Sequence, residues 1–245
     1  MKKITPIRHN KIWGYELWLH SPLENNYTHL ENGEKTYKGP LVKIIKANKP
    51  LSVQVHPDDI LAKKLENQKN GKSECWYILE ATQESKFIVG ISTINKSEIK
   101  TALENKDFLK LLKTYTPLQG DFINVPAGLV HGIGKKSKVL EVQQPSDTTY
   151  RFYDYDRLEN GKPRELHIEK SIISAKELDW KVSSSEKLYK KYKISNYSVS
   201  IFEDKKNLKI NKKSILVDLK KEIAYYVNPG DEIKINFEKF ALIEY

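Results

Sequence analysis

The segment Leu51-Ser-Val-Gln-Val-His-Pro-Asp-Asp59 is the most informative stretch of the 245-residue chain. It has the alternation of a β-strand, in which successive side chains point to opposite faces. Gln54 and His56 therefore share one face with Ser52, and the two valines between them occupy the other. This pattern is typical of a strand that faces an internal site. It is also typical of a strand that ends in an exposed histidine before a proline turn, and the segment alone leaves both readings open.

A second segment, Gly71-Lys-Ser-Glu-Cys-Trp-Tyr-Ile-Leu79, places a carboxylate at the start of an apolar strand. Glu74 is costly to bury there unless it is paired or bound to a metal. Lys72 lies two residues earlier, on the same face if the strand extends that far. The alternative is a surface Lys/Glu pair at a strand entry. Cys75 points to the opposite face, so we interpret it as a core residue.

The third segment, Gly120-Asp-Phe-Ile-Asn-Val-Pro-Ala-Gly-Leu-Val-His131, is a short strand followed by a sharp turn. Proline and glycine restrict the backbone at that corner to one path. Such a turn favours delivery of His131 to a fixed point, as a metal ligand requires, over a histidine that merely fills the core.

Together these segments offer two imidazoles, one carboxylate and one amide, from Gln54, His56, Glu74 and His131. A set without thiolates suits zinc and can also accept iron, manganese or cobalt. Because an amide is a weak ligand, we expect at least one open coordination position, which is characteristic of catalytic metal sites.

The rest of the chain predicts a mainly β protein with two helices. The helices are predicted over 57–68, with proline and two aspartates in the first turn, and over 95–115, which opens with Asn95 and Glu98 at capping-box spacing. From about residue 170 the sequence becomes rich in lysine, with no histidine after His167, and predicts a second, smaller β-module without metal ligands. The predicted strands are 41–47, 51–56, 75–79, 86–91, 121–125, 138–143, 149–155, 192–202, 214–219, 223–227 and 232–237, and a short helical or irregular crossing is predicted over 172–181.

Composition limits the location and partners of the protein. The net charge is +10, but only four of the 42 basic residues are arginine, and the lysines are scattered along the chain. No zinc finger, basic zipper or RNA-binding motif accompanies them, so we expect no nucleic-acid partner. One cysteine cannot form an intrachain disulfide, and no apolar run approaches the ~20 residues of a membrane span. The basic N-terminus lacks the apolar segment of a secretory signal. These features favour a cytoplasmic protein without a membrane partner.

The motifs resemble those of the type I mannose-6-phosphate isomerases, in their short bacterial form. The resemblance covers about residues 11–169, and Gly120–His131 also follows the second cupin motif, with five residues before the proline, one before the next glycine and two before the histidine. It departs at Trp13-Gly14-Tyr15, where the family has Trp-Gly-Gly, and in the poorly matched C-terminal module. The matching strings are Ile12-Trp-Gly14, Ser52–Asp59, Gly71–Leu79, Val125–Gly134 and Gln143–Arg157.

The resemblance implies a fold and a ligand set. The expected fold is a cupin jelly-roll over 1–170 with a small helical insertion, followed by the smaller β (cupin-like) module over 171–245. The implied metal is one zinc ion per chain, held by Gln54, His56, Glu74 and His131. The implied substrate-site residues are Lys43 and Lys72, Ser52 on the phosphate side, and Arg151 as the catalytic arginine.

The implied reaction interconverts mannose 6-phosphate and fructose 6-phosphate through an enediol or enediolate. The sequence leaves the proton-transferring base open among Lys72, Glu141 and a metal-bound hydroxide. Two other functions remain alternatives, an iron-dependent cupin dioxygenase and a metal-containing cupin that binds sugar phosphates without turnover. We expect a small sugar phosphate as the partner and a monomer or homodimer as the assembly.

Overall fold

The computed structural model describes residues 1–180, 182–183 and 191–245. Within them, none of the helices is long and apolar enough to cross a membrane. The helices are α1 (Asp59–Glu66), α2 (Lys96–Glu104) and α3 (Ile168–Ser174), with a 3₁₀ turn at Phe108–Leu111.

The described strands pair antiparallel throughout. They are β1 (Lys2–Thr5), β2 (Ile7–Lys11), β3 (Gly14–His20), β4 (His29–Leu30), β5 (Leu41–Ala47), β6 (Val53–Val55), β7 (Glu74–Glu80), β8 (Phe87–Ile91), β9 (Leu112–Tyr115), β10 (Phe122–Val125), β11 (His131–Gly132), β12 (Ser137–Gln143), β13 (Tyr150–Tyr153), β14 (Leu158–Glu159), β15 (Lys162–Pro163), β16 (Val182–Ser183), β17 (Lys191–Ile194), β18 (Tyr197–Glu203), β19 (Asn207–Lys209), β20 (Ser214–Asp218), β21 (Ile223–Val227), β22 (Glu232–Lys234) and β23 (Lys239–Glu244).

Both predicted helices exist, but the second is shorter than its apolar spacing suggests. The Asp58 carboxylate caps α1 by accepting from the Leu61 amide, and Asn95 caps α2 as its spacing predicts. Helix α2 ends at Glu104 because the chain turns at Lys106, where φ is 59°. The apolar residues that continued the helical spacing instead form the 3₁₀ turn and β9, which pairs with β8.

Each predicted strand has a counterpart in the structure, with differences in detail. The strand predicted over 192–202 is a hairpin, because the chain reverses at Ser195 with a φ of 51°. The strands that were not predicted are β1 to β4, β9, β11, β14 to β16, β19 and β23. The crossing predicted over 172–181 begins inside α3 and continues without regular structure to residue 180, and its last residue lies outside the described ranges.

Two sheets form a sandwich around the first core. The larger has the order β16-β10-β7-β12-β5-β3-β2, and the smaller has the order β13-β6-β11-β8-β9. Ile45, Ile78 and Val139 of the larger sheet pack against Phe87 and Val89 of the smaller one. Apolar residues of α2 and α3 cover the outer face of the smaller sheet. This antiparallel sandwich with a helical insertion confirms the jelly-roll expectation.

A third sheet, of order β17-β18-β23-β20-β21-β1-β4, packs on the outer face of the larger one. Val42 and Leu140 of the larger sheet share a core with Val217 and Ile243 of the third. Strand pairing crosses the expected boundary near residue 170 twice. β1, before the boundary, pairs with β21, and β16, after the boundary, pairs with β10. The division into 1–170 and 171–245 remains a prediction.

Candidate metal centre and substrate cavity

Strand β6 presents its polar residues to the inside of the sandwich. Val53 and Val55 are fully buried on the helix side, in the core beneath α2 and α3. Gln54 therefore faces inward, and the Ser52 hydroxyl donates to its Oε1 at 3.1 Å. His56, two residues after Gln54, is 1% exposed. The inward-facing reading of the strand is the one that the structure supports.

The seventeen residues between His56 and Glu74 form a loop that contains α1 and returns to its starting point. Gly71 lies so close to the chain leaving His56 that a Cβ atom on it would come within 2.4 Å of the Asp58 carbonyl carbon. Its amide donates to the Asp59 carboxylate at 2.7 Å, and the Lys72 amide donates to the Pro57 carbonyl at 3.0 Å. The glycine thus lets the two ends of the loop meet, so that Glu74 returns beside His56.

The Pro-Ala-Gly turn delivers His131 to the same place. Gly128 has a φ of 95°, which favours glycine, and its amide donates to the His56 carbonyl at 2.9 Å. The Ala127 amide donates to the Ser73 hydroxyl at 3.1 Å. Beyond the turn His131 pairs directly with Gln54 across β11 and β6.

The three strongest candidate ligands converge. One donor atom from each of His56, Glu74 and His131 lies within 4.8 Å of the others, and all three residues are buried. His56 Nε2 is 3.4 Å from one Glu74 oxygen, and His131 Nε2 is 3.5 Å from the other. Gln54 Nε2 is 3.3 Å from His131 Nε2. Amide nitrogen and oxygen are interchangeable by a half-turn of the side chain, so this residue can present its oxygen to the same point.

The protonation states of the two histidines and Glu74 favour metal ligation over ion pairing. The His131 Nδ1–H donates to the Leu129 carbonyl at 2.8 Å, which leaves the Nε2 lone pair facing Glu74. Burial, with the neighbouring Lys72 ammonium, lowers the pKa of His56 to about 3. Burial alone acts to raise the pKa of Glu74, but Lys72 and His56 hold it well below its usual range. Two neutral imidazoles and one carboxylate result.

This donor set suits a divalent cation. Atoms about 2.0–2.2 Å from one tetrahedral zinc ion lie roughly 3.3–3.6 Å apart, and each imidazole Nε2 lies within that range of one of the two Glu74 oxygens. Glu74 Oε2 is buried and accepts no hydrogen bond, although Lys72 Nζ lies 3.3 Å away, and His56 Nδ1 is buried without a hydrogen-bond partner. A buried carboxylate oxygen with no donor is costly on its own, and a bound cation would remove that cost.

A row of charged and aromatic side chains runs from the candidate metal centre across the larger sheet. The Trp76 indole N–H donates to Glu74 Oε1 and to Glu141 Oε2, each at 3.0 Å. Lys43 Nζ is 3.2 Å from Glu141 and 3.6 Å from Glu16. Burial, with the Glu74 charge, raises the pKa of Glu141. Lys72 Nζ lies 3.3 Å from Glu74 and 3.1 Å from His56 Nε2.

These groups open onto a cavity of about 160 Å³. Its walls include every residue that the sequence assigns to substrate or catalysis, together with the Gln54 amide. The other three candidate ligands are not among the lining residues. The assigned residues that line the cavity are Lys43, Ser52, Lys72, Glu141 and Arg151.

Arg151 stands on the inward face of β13, because successive side chains of a strand point to opposite faces. Its neighbours Tyr150 and Phe152 are buried in the opposite core, and Arg151 pairs directly with Gln54 of β6. Its Nε is buried without an acceptor. Among the described residues it forms no ion pair, neither with Asp154 nor with Asp156. Burial, followed by the charge of Arg164, lowers its pKa.

Several residues that line the cavity were not predicted from the sequence, among them Lys11, Trp13, Glu16, Trp18 and Arg164. The alternation of Glu16 and Trp18 over 14–20 was the available signal, because it places both on one face of β3. The departure at Tyr15 is accommodated: Gly14 must remain glycine, since a Cβ atom would lie 1.9 Å from the Lys46 carbonyl oxygen, whereas Tyr15 packs beneath Arg8.

No family model matches the chain. The mannose-6-phosphate isomerase ManA of Bacillus subtilis is 45% identical over 159 residues, which are 64% of this chain and 49% of that protein. The chain spans about half the length of the curated relatives it matches, between 42% and 49%.

Solved structures match over nearly the whole chain. The mannose 6-phosphate isomerase from Bacillus subtilis has a TM-score of 0.75 at 25% identity, covering 99% of this chain and 98% of that one. An isomerase from Salmonella typhimurium, solved with fructose 6-phosphate and zinc, has a TM-score of 0.65 at 14% identity, covering 100% and 99%, and shares the fold. The sequence matches and the common cupin fold confirm that this protein resembles the mannose-6-phosphate isomerases.

Proposed function

We propose that the protein is a zinc-dependent mannose-6-phosphate isomerase that interconverts mannose 6-phosphate and fructose 6-phosphate. The observation that carries this proposal is the convergence of His56, Glu74 and His131 beside a cavity lined by lysine and arginine. Gln54 completes the ligand set, with one zinc ion per chain. The zinc and fructose 6-phosphate found with the Salmonella typhimurium enzyme agree with this assignment.

The reaction moves a proton between two neighbouring carbons of the sugar, C1 and C2. When bound, the metal supplies a Lewis acid that polarises the carbonyl and orients the sugar oxygens. The protein must supply a group that takes and returns the proton, a charge for the developing oxyanion, and a grip on the phosphate.

Two buried side chains can carry the proton. Glu141 has a raised pKa and is held by Trp76 and Lys43, so it can take and return a proton without leaving its place. Lys72 lines the same cavity next to Glu74. Kinetics of Glu141→Gln and Lys72→Met distinguish the two, because the variant that lacks the base loses kcat over the whole pH range.

The remaining assigned residues hold the substrate. Arg151 has no carboxylate partner among the described residues, so its planar charge is available to an oxyanion or a phosphate. Ser52 offers a hydroxyl beside Gln54. Lys43 is already shared by two carboxylates and therefore suits sugar hydroxyls in addition to its structural role.

The decisive experiment is a coupled assay for fructose 6-phosphate formation from mannose 6-phosphate, with metal content measured on the same preparation. We expect turnover, about one zinc per chain and loss of activity on chelation. We also expect free mannose to be a much poorer substrate, because binding energy from the phosphate positions the reacting carbons.

Each alternative function predicts a different outcome of that experiment. Equal kcat/KM for mannose and mannose 6-phosphate would contradict the role of the phosphate site. Oxygen consumption with bound iron would point to a dioxygenase, and tight binding of mannose 6-phosphate without turnover to a binding protein. Cytoplasmic location, lack of a nucleic-acid partner, a monomeric or dimeric state and a separate, metal-free module over 171–245 belong to the same proposal.

A further inference from the structure

A short hairpin after β13 carries two arginines, and one buried carboxylate holds both. Strands β14 and β15 form the exposed hairpin, with Arg157 just before it and Arg164 just after it. Asp154, 5% exposed, accepts from Arg164 Nε at 2.7 Å and from Arg164 Nη2 at 2.6 Å. The Arg157 Nη2 also donates to this carboxylate. Two guanidinium groups thus share a single negative charge.

The two arginines differ in what else they face. Arg164 lines the substrate cavity, as Arg151 does, whereas Arg157 is not among the lining residues and donates instead to the Pro50 carbonyl. The return leg of the hairpin is also fixed beside Arg151, because the His167 amide donates to the Arg151 carbonyl at 2.8 Å. Asp154 and the backbone at His167 therefore hold Arg164 and Arg151 on the same wall.

The local charge is unbalanced. Arg151 has no acidic partner among the described residues, and Arg164 is close enough to contribute to its lowered pKa. Two like charges at a partly buried wall are unfavourable unless an anion lies between them. Elsewhere in the cavity Lys43 is paired with Glu16 and Glu141, and Lys72 with Glu74. Asp147 also lines the cavity and, unlike Glu16 and Glu141, has no ion-pair partner among the described residues, so an anion would have to avoid it.

We propose that Arg164 binds the phosphate of the substrate together with Arg151, and that Asp154 is the positioning residue that aims Arg164 into the cavity. The inference rests on the proposed function, since it takes the ligand to be a sugar phosphate. Bidentate anchoring leaves Arg164 Nη1 free of a partner in Asp154, and a preorganised guanidinium loses little freedom when it grips a phosphate.

The test uses mannitol 6-phosphate, which has no carbonyl and cannot turn over, with mannitol as its uncharged control. Calorimetric titration should give a dissociation constant that rises about 10- to 100-fold in Arg164→Gln, the usual loss of a charge-assisted hydrogen bond. Asp154→Asn should weaken binding by roughly 3- to 10-fold, because Arg164 remains but is no longer held by a charge. KM for mannose 6-phosphate should rise with it, with kcat changing less than about threefold.

Arg157→Gln is the matched control, because it removes the other guanidinium from Asp154 without touching the cavity. An unchanged affinity for mannitol 6-phosphate in Arg164→Gln overturns the proposal. An equal loss of affinity in Arg157→Gln also overturns it, because the loss would then come from the structure of the hairpin and not from Arg164 itself. Arg164→Lys, which keeps the charge, provides the same comparison if Arg164→Gln does not fold. A wild-type protein that binds mannitol 6-phosphate but does not isomerise mannose 6-phosphate would refute the proposed function and leave this inference measurable.

Discussion

The larger sheet and the third sheet have the same strand number and share a core, yet they bury different polar groups. The inner face of the larger sheet holds Lys43, Glu74 and Glu141, whose partners are other side chains of the site, such as Lys72 and Trp76. In the described part of the third sheet the buried polar side chains are three serines and Asp218.

Asp218 shows what a buried carboxylate looks like when its role is local. It accepts from the amides of Lys220 and Lys221 at 3.0 Å each and so stabilises the turn after β20. Glu74 receives no backbone donor and keeps a buried oxygen without a hydrogen bond. Buried charges that the neighbouring backbone leaves unsatisfied therefore indicate a ligand, whereas satisfied ones indicate a structural role.

Replacing these two carboxylates by their amides gives the largest contrast. Glu74→Gln should abolish measurable isomerase activity and lower zinc affinity by more than about 100-fold, because loss of a ligand exceeds loss of a second-sphere partner. Asp218→Asn should retain zinc, kcat and KM, since the amide oxygen still accepts from both backbone amides. Metal analysis and steady-state kinetics on the two purified variants test this. A zinc-loaded, active Glu74→Gln protein would remove Glu74 from the metal site.

Substitutions of Arg151 distinguish a substrate contact from a metal contact within the cavity. Arg151→Ala should keep its zinc and its fold while kcat falls by roughly 10²–10³, the usual loss for one preorganised charge. Arg151→Lys should recover only part of this rate, because an ammonium lacks the planar two-pronged grip. Near-normal kcat would place Arg151 outside the reaction, and loss of zinc would make it a support of the metal site.

A further comparison concerns the core that joins the two sheets. Ile243 of β23 and Leu140 of β12 are both essentially fully buried in it. Ile243→Ala and Leu140→Ala should each lower the free energy of unfolding by about 2–5 kcal/mol. Because Ile243 is on the sheet without site residues, its variant should keep the wild-type kcat at a temperature where it stays folded. Denaturant unfolding beside kinetics measures both, and a loss of kcat without a loss of stability would give the third sheet a direct role in catalysis.

The sequence predicted the ligand strands well because alternation and turn chemistry are local properties. Gln54 and His56 were placed together on one face of their strand from the identity of their immediate neighbours, and the structure decided that this face points inward. The turn before His131 was predicted from one proline and one glycine. The same logic identified β5 to β8 within two residues at each end.

What the sequence did not predict depends on contacts between distant parts of the chain. Helix α2 ends early because β8 offers its edge to the residues that follow. The pairing of β1 with β21 joins the two ends of the chain, and no local pattern signals it. Trp76 bonds two carboxylates that are 67 residues apart in the sequence, Glu74 and Glu141. Arg164 lines the cavity from the far end of the β14–β15 hairpin, where it is hydrogen-bonded to Asp154.

A buried histidine, His20, lies where the larger sheet meets the third one. This residue of β3 is fully buried, its Nδ1–H donates to the Pro40 carbonyl at 2.6 Å, and its Nε2 has no partner. The ring of Tyr245, just after β23, lies 6.4 Å away between ring centres. Burial lowers the pKa of His20 from 6.5 to about 4, because a second N–H would have no acceptor.

This buried imidazole should make the folded protein sensitive to mild acid. Above pH 6.5 His20 is neutral whether the chain is folded or unfolded, and its titration then leaves stability unchanged. As the pH falls from 6.5 towards 4, the unfolded chain binds a proton at His20 that the folded chain does not bind. The free energy of unfolding therefore falls progressively, by about 1 kcal/mol at pH 5.5. His20→Gln can still donate to Pro40 and should show less of this loss between pH 7 and 5.5. His29→Gln, on the partly exposed β4, is the matched control and should keep the wild-type slope. Urea unfolding at the two pH values measures each difference, and equal slopes for wild type and His20→Gln would show that the acid sensitivity arises elsewhere.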